Sequence, residues 1–215
     1  MAPVAARSAD RFMDSMMNSS APARTRMIVG ISGASGVVYG IRLLQLLRRL
    51  DVETHLVMSK SAQVTLAHES DLTLSDVRAL ADVSYANTDI GASIASGSFP
   101  VAGMIVAPCS IKTMSEIATG VTSGLLSRAA DVMLKERKRL VLMVRETPLH
   151  LGHLRTMAAV TEAGAIIYPP VPAFYARPES IEAMVDHTLG RVLDLFGFDA
   201  GTVQRWNPGA KPIEA

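Results

Sequence analysis

Apolar and polar positions along the chain alternate between runs that fit strands and spacings that fit helices. "RMIVGIS" (26–32) is an apolar run long enough for a buried strand and too short for a helix. Val37, Ile41, Leu44 and Leu47 then recur at three- and four-residue steps, which predicts a helix directly after a glycine-rich turn. "VETHLVMS" (52–59) reads as a second strand and "SAQVTLAHE" (61–69) as a second helix. From Asp82 to Pro100 the residues are small and polar, which predicts a long loop, a feature that in compact domains is frequently functional. "GMIVAPCS" (103–110) is a strand, "KTMSEIATG" (112–120) a short helix ended by Gly120, and "GLLSRAADVMLKERK" (124–138) a longer helix. "LVLMVRE" (140–146) is a strand and "LGHLRTMAAVTEAG" (151–164) a helix with Gly164 at its C-cap. "AIIYPP" (165–170) is the last strand, and "PESIEAMVDHTLGRVLDLFG" (178–197) a final amphipathic helix with Pro178 near its first turn.

Strands apolar on both faces, separated by helices, imply a parallel sheet covered on both sides. The expected fold is a single α/β domain, a doubly wound parallel sheet, over residues 27–207. Residues 1–26 are rich in Ala, Ser, Met and Arg and open no periodic element. They lack the apolar core of a secretory signal, and Asp10 and Asp14 count against a transit peptide. They are expected to be a disordered tail or to follow a start codon placed too early, and 208–215 to be a short C-terminal tail.

Composition narrows the function. The chain of 215 residues is 49% hydrophobic, yet no apolar run approaches the roughly 18 residues of a membrane span. A formal net charge of +1 without a basic run, and only 5% aromatics, offer no footprint for nucleic acid. A single cysteine, Cys109, excludes an intramolecular disulfide and fits a reducing, cytoplasmic compartment.

Ligands of doubly wound sheets lie at the carboxyl ends of the strands. There Gly33 and Gly36 permit close backbone approach, Ser35 adds a hydroxyl, and free amides at the next helix start attract an anion. Neither a dinucleotide fingerprint nor a Walker loop is present, so the turn alone fits strand–helix packing as well as a ligand. "APCSIKT" places Ser110 and Thr113 at a second strand-to-helix turn, and both turns are expected to converge with the loop "SIASGSFP" (93–100) on one sheet edge. That arrangement suits a phosphate-bearing cofactor. Arg145 and Glu146 close a strand, either as a surface pair or as functional charges. Glu69 stands at a helix end, and Arg128 and Lys135 lie seven apart on one helix face, where solvated roles are the default. Tyr175 sits in a proline-bracketed loop, with Arg191 on the helix that follows. His150 and His153 lack partners at metal-ligand spacing and read as structural or capping residues. Cys109 reads as a buried small residue, and the twelve methionines as core filler.

Taken together, "GISGASGVVYGIRLL", "HLVMSK", "SGSFP", "APCSIKT", "LLSRAADVMLKERKRLVLMVRETPLHLGHL", "AIIYPPVPAFYARPESIE" and "DHTLGRVLDLFG" resemble the flavin prenyltransferases of the UbiX type, formerly called aromatic-acid decarboxylases. The resemblance runs from about Met27 to about Trp206. It implies a flavodoxin-like fold that binds reduced FMN and joins to it a dimethylallyl group from dimethylallyl monophosphate. A fourth ring closes between N5 and C6, without a metal, and the product serves a UbiD-type decarboxylase in quinone biosynthesis or aromatic-acid breakdown. It also implies a homododecamer with its site at subunit contacts. Carried over by position, Gly33, Ala34, Ser35, Ser59, Ser110, Ile111, Lys112, Thr113 and Arg145 match FMN contacts. Arg128, Lys135, Tyr175, Arg191 and Trp206 match the prenyl-phosphate side. Ser35, Glu69, Glu146 and Lys135 are the expected catalytic groups, with Glu146 relaying a proton through Ser35. Two alternatives use the same scaffold: an FMN-dependent cysteine decarboxylase and a flavodoxin-like electron carrier.

Overall fold

The computed structural model describes residues 23–207. The expected N-terminal tail up to residue 22, and the C-terminal tail from 208, lie outside the described residues. Strands β1 (Arg26–Ile31), β2 (Glu53–Met58), β3 (Val83–Ala86), β4 (Gly103–Cys109), β5 (Arg139–Val144) and β6 (Ile166–Ile167) form one sheet. Its order is β3-β2-β1-β4-β5-β6, and every pairing is parallel. Without the short edge strand β3, the order is that of a flavodoxin-like doubly wound sheet, whose direction of winding reverses between β1 and β4.

Among the described residues, seven helices cover the sheet: α1 (Val37–Arg49), α2 (Lys60–Glu69), α3 (Leu74–Ala79), α4 (Ile111–Thr119), α5 (Leu125–Lys135), α6 (Leu151–Glu162) and α7 (Ile181–Asp194). The central strands alternate side chains between two cores, as the period of two requires. Met27, Val29 and Ile31 of β1 face Leu43, Leu44 and Leu47 of α1 and Leu189 and Val192 of α7. Ile28 of β1 and Met104 and Val106 of β4 face Met114 of α4, Leu126 and Ala130 of α5 and Val160 of α6. Burial on both faces is why these strands read as unbroken apolar runs.

Three stretches depart from the expected pattern. The Asp82–Pro100 segment is not all loop: it contains β3 and a turn of 3₁₀ helix, Ser93–Ala95. Strand β3 is mostly exposed, so it carries no apolar run to announce it. Helix α3 was not expected, although Thr73 and Asp76 form a reciprocal capping box at its start. The last strand is two residues long, because Pro169 and Pro170 cannot donate to a ladder. Pro178 lies before the helix, whose N-cap is Ser180.

Candidate functional site

The reversal of winding leaves the carboxyl ends of β1 and β4 side by side, with α1 departing over one face and α4 over the other. Ser32 joins the two ends. Its Oγ donates to Pro108 O at 2.9 Å and accepts from Ser110 N at 2.7 Å, while its N–H donates to Pro108 O at 3.1 Å. Ser59, after β2, is tied to the same edge by its N–H, which donates to Ile31 O at 3.0 Å. The starts of α1, α2 and α4 therefore meet at one place. Gly33 lies so close to the start of α2 that a Cβ there would stand 2.5 Å from Ser61 Oγ. Only glycine permits that approach.

The first amides of a helix have no partner inside it and attract anions. At α1 this capacity is already used. The Glu69 carboxylate, at the end of α2, accepts from Gly36 N at 2.8 Å and Val37 N at 3.0 Å. The expectation of an anion on the amides following the Gly-Ala-Ser-Gly turn is thus corrected: the anion there is Glu69. At α2 and α4 the caps take less. Ser59 Oγ accepts from Ala62 N at 3.1 Å, and Ser110 Oγ accepts from Thr113 N at 3.3 Å. Among the described residues, the amides of Lys60, Ser61, Ile111 and Lys112 have no acceptor. These are the open amides of the site.

Burial pushes the Glu69 carboxyl up, but hydrogen bonds from Ser35, Gly36 and Val37 and the charge of Arg145 hold it below its ordinary value. Glu69 is therefore ionised at neutral pH and orients Ser35. Arg145 follows β5, its N–H donating to Cys109 O at 3.0 Å. Among the described residues its guanidinium forms no ion pair within 4 Å. Tyr39, in the first turn of α1, also senses Arg145: burial raises its phenol, and Arg145 opposes that. Tyr39 was missed from the sequence, where its one signal is an aromatic with a polar tip just after the glycine turn. Glu146 is exposed, and its carboxylate accepts from Thr147 N at 3.0 Å. The Lys112 ammonium turns outward to Glu116 at 2.8 Å, so only its backbone faces the site.

A second cluster forms on α7. Tyr175 packs edge-on against Trp206, with ring centroids 5.6 Å apart, and against the buried His187 at 5.7 Å. Arg191 Nη1 donates to Asp194 Oδ2 at 2.6 Å, and Arg205 holds the other oxygen at 2.9 Å. Tyr168, half-buried and raised mainly by burial, feels the charge of Arg191. It too was missed, hidden in a stretch that reads as strand.

One expectation about convergence is overturned within the single chain. The segment Ser96–Phe99 does not join the glycine turn. It packs at the opposite edge, where Lys138 Nζ, just before β5, donates to Phe99 O at 3.0 Å. Lys135 lies there as well, paired with Glu136. The reason is topological. Asn87 O and Oδ1, at the carboxyl end of β3, accept from Leu125 N and Leu126 N at 2.8 and 2.9 Å, so α5 starts at that edge and runs back across the sheet. Its last residue must reach the amino-terminal edge. Arg128, in the second turn, pairs with Asp131 at 2.7 Å.

Two further sequence readings are placed. His150 caps α6, its Nδ1 accepting from Gly152 N at 3.0 Å, and stacks on His153. Cys109 is fully buried, and burial pushes its thiol well above the ordinary range. Among the described residues, no three His, Cys, Asp or Glu side chains group as metal ligands, and no helix is long and apolar enough to cross a membrane.

A Flavoprotein family model matches residues 15–193. The chain is 62% identical over 172 residues to the flavin prenyltransferase UbiX of Escherichia coli (strain K12), covering 80% of this chain and 91% of that protein. It superposes on AnUbiX (PadA1) in complex with FMN and dimethylallyl pyrophosphate with a TM-score of 0.85 and 55% identity, over 86% of this chain and 98% of that one. A dodecameric FMN-dependent UbiX-like decarboxylase from Escherichia coli O157:H7 matches with a TM-score of 0.83 and 48% identity, over 85% of this chain and 100% of that one.

Proposed function

Because the chain belongs to the UbiX-type flavin prenyltransferases, we propose that the junction of β1, β2 and β4 holds FMN and that the α7 cluster serves the prenyl phosphate. The protein transfers a dimethylallyl group to FMN. The observation that carries the site assignment is the set of open amides at Lys60, Ser61, Ile111 and Lys112, beside the Ser35, Ser59, Ser110 and Thr113 hydroxyls and the Arg145 guanidinium. A phosphate ester with a polyhydroxylated chain needs many donors and few competing anions, and the α2 and α4 starts supply them.

Reduced FMN, when bound, supplies the nucleophilic N5 and C6 edge. The residues of this chain do the rest. Gly33 and Ala34 let the backbone lie flat against the ligand, and Arg145 fixes a positive charge beside it. Ser35, held by Glu69, presents a hydroxyl whose direction is set before the ligand arrives. Glu69 serves as orienting group, since a carboxylate with three donors and a depressed pKa is a poor proton acceptor. In this reading Glu146 takes the proton, Ser35 turning its hydroxyl from Glu69 to Glu146 as it passes it on.

On the second side, Tyr175 and Arg191 hold the leaving phosphate, and Trp206 walls off water around the developing allyl cation. Arg128 and Lys135 add cationic charge there, which offsets the phosphate without a metal ion. One chain carries Lys135 at the amino-terminal edge, so in this reading Lys135 serves the site of another copy. The dodecameric relative supports a homo-oligomer of that size. The product passes to a UbiD-type decarboxylase, and a cytoplasmic location, inferred from the single cysteine, belongs to the same reading.

The test is anaerobic. Protein, FMN, a reductant and dimethylallyl monophosphate are mixed with a metal chelator, and the extracted flavin is weighed by mass spectrometry. A gain of one C5H8 unit is expected. Unmodified FMN with the monophosphate, and then with the diphosphate, overturns the reading. Arg191→Met and Tyr175→Phe should weaken the prenyl phosphate while leaving FMN binding intact.

A further inference from the structure

A buried polar chain lies outside the site described above. His55 in β2 is 3% exposed, and its Nε2 lies 3.0 Å from Glu53 Oε1 while its Nδ1 lies 2.9 Å from Tyr85 Oη in β3. Tyr85 Oη in turn lies 2.8 Å from Ser93 Oγ. Arg26 Nε donates to the same Glu53 oxygen at 3.0 Å and keeps that carboxylate ionised. A carboxylate only accepts, so the hydrogen of His55 is on Nε2 and Nδ1 is left to accept. Tyr85 must then donate to His55, which leaves its oxygen to accept from Ser93. Every hydrogen in the chain has one direction.

The same imidazole supports the other end of the loop. Phe99 packs edge-on against it at 4.9 Å between centroids, Arg26 stacks over Phe99 at 5.3 Å, and Lys138 holds the Phe99 carbonyl. Ser93 and Phe99 are thus both anchored to His55, and Ile94 between them is fully buried. What this loop touches is the end of α5. A Cβ on Gly97 would overlap the Glu136 carboxylate and stand 2.7 Å from Lys135 Nζ. The Lys135–Glu136 pair therefore lies flat on the Gly97 backbone.

We propose that His55, Tyr85 and Gly97 are positioning residues for Lys135: the buried chain fixes the Ser93–Phe99 loop, and the loop fixes where the ammonium points. This rests on the reading that Lys135 serves the prenyl phosphate. The structure suits such a role, because a lysine has four rotatable bonds and binds as a point charge, so its reach must be set by its bed. Within one chain neither Tyr85 nor Gly97 faces the junction of β1 and β4, so neither belongs to that chain's own FMN contacts.

The experiment is a double-mutant cycle on the full chain, with FMN and dimethylallyl monophosphate as the probes. Tyr85→Phe keeps the ring and removes the hydroxyl, and Gly97→Ala pushes the pair off its bed. Each should raise KM for the monophosphate about fivefold or more, with FMN affinity and oligomeric state unchanged. In a Lys135→Ala background both effects should vanish, whereas a loss of general integrity would multiply with that substitution. If Lys135→Ala raises KM but neither Tyr85→Phe nor Gly97→Ala does, or if their effects multiply with it, the positioning role is wrong. If Lys135→Ala leaves KM unchanged, the reading of Lys135 itself falls and takes the proposal with it.

Discussion

Replacing Glu69 removes the acceptor at the start of α1. Its carboxylate closes two backbone amides, at 2.8 and 3.0 Å, and orients Ser35. Loss of a helix cap costs about 0.5–2 kcal/mol, and an exposed carboxylate sits at the lower end of any charge term because water screens it. With two amides and a hydroxyl left without their acceptor, Glu69→Ala should cost about 1.5 kcal/mol. Glu69→Gln keeps an acceptor and loses only the charge, about 0.5 kcal/mol. In a domain of this size each kcal/mol lowers Tm by about 2–4 °C, so the alanine variant should melt about 3–6 °C lower at neutral pH. The pH dependence has a definite sign. The folded carboxyl lies below its ordinary value of 4.5, so its stabilisation is complete above that value and fades as pH falls through the lower folded one. The gap between wild type and Glu69→Gln should therefore close in acid, because glutamine does not titrate. Melting curves followed by circular dichroism from neutral pH down to about pH 3 test this. Equal melting temperatures at neutral pH, or a gap unchanged in acid, would refute the capping account. Turnover by Glu69→Ala should fall more than FMN affinity does, since Ser35 loses its orientation.

Ser32→Ala removes the bridge between the ends of β1 and β4 and leaves the half-buried Ser110 N without its acceptor, a loss of about 1 kcal/mol. It should also weaken FMN in a fluorescence titration; full affinity would show that the junction holds without the serine. Cys109, fully buried with a raised thiol pKa, should resist a thiol reagent in the native protein and react on unfolding, and rapid native labelling would contradict its place in the core. Asp82, drawn down to about 2 against the burial that raises it, accepts from Arg24 and Thr54. Asp82→Asn should destabilise at neutral pH, with the difference disappearing as acid protonates the wild-type carboxyl between its ordinary 3.8 and about 2.

Much of the architecture was legible before any coordinates. β1, β4 and β5 are buried on both faces, so they must be apolar throughout, and α1, α5 and α7 carry one apolar stripe each. Ser59, Ser110 and Ser180 stand where a cap is needed, because a short hydroxyl there satisfies an amide that the helix cannot. The capping box at Thr73 was equally readable and went unread. Strand β3 was not readable, since an exposed edge strand needs no apolar alternation; its pairing with β2 places it.

The candidate site divides along the same line. The sequence alone determined the strand-to-helix turns at Gly33–Gly36 and Ser110–Thr113, because turn chemistry and capping act over a few neighbouring residues. Tertiary structure decided everything that joins distant segments. It set Glu69 on the amides of α1, a pairing 32 and 33 residues apart that no local spacing announces. It bound β1 to β4 through Ser32, and it sent Ser96–Phe99 and Lys135 to the far edge. The physical reason is that each helix of a parallel sheet runs back against its strands. Residues close in sequence therefore finish at opposite ends of the molecule, and which of them meet depends on the order of the strands.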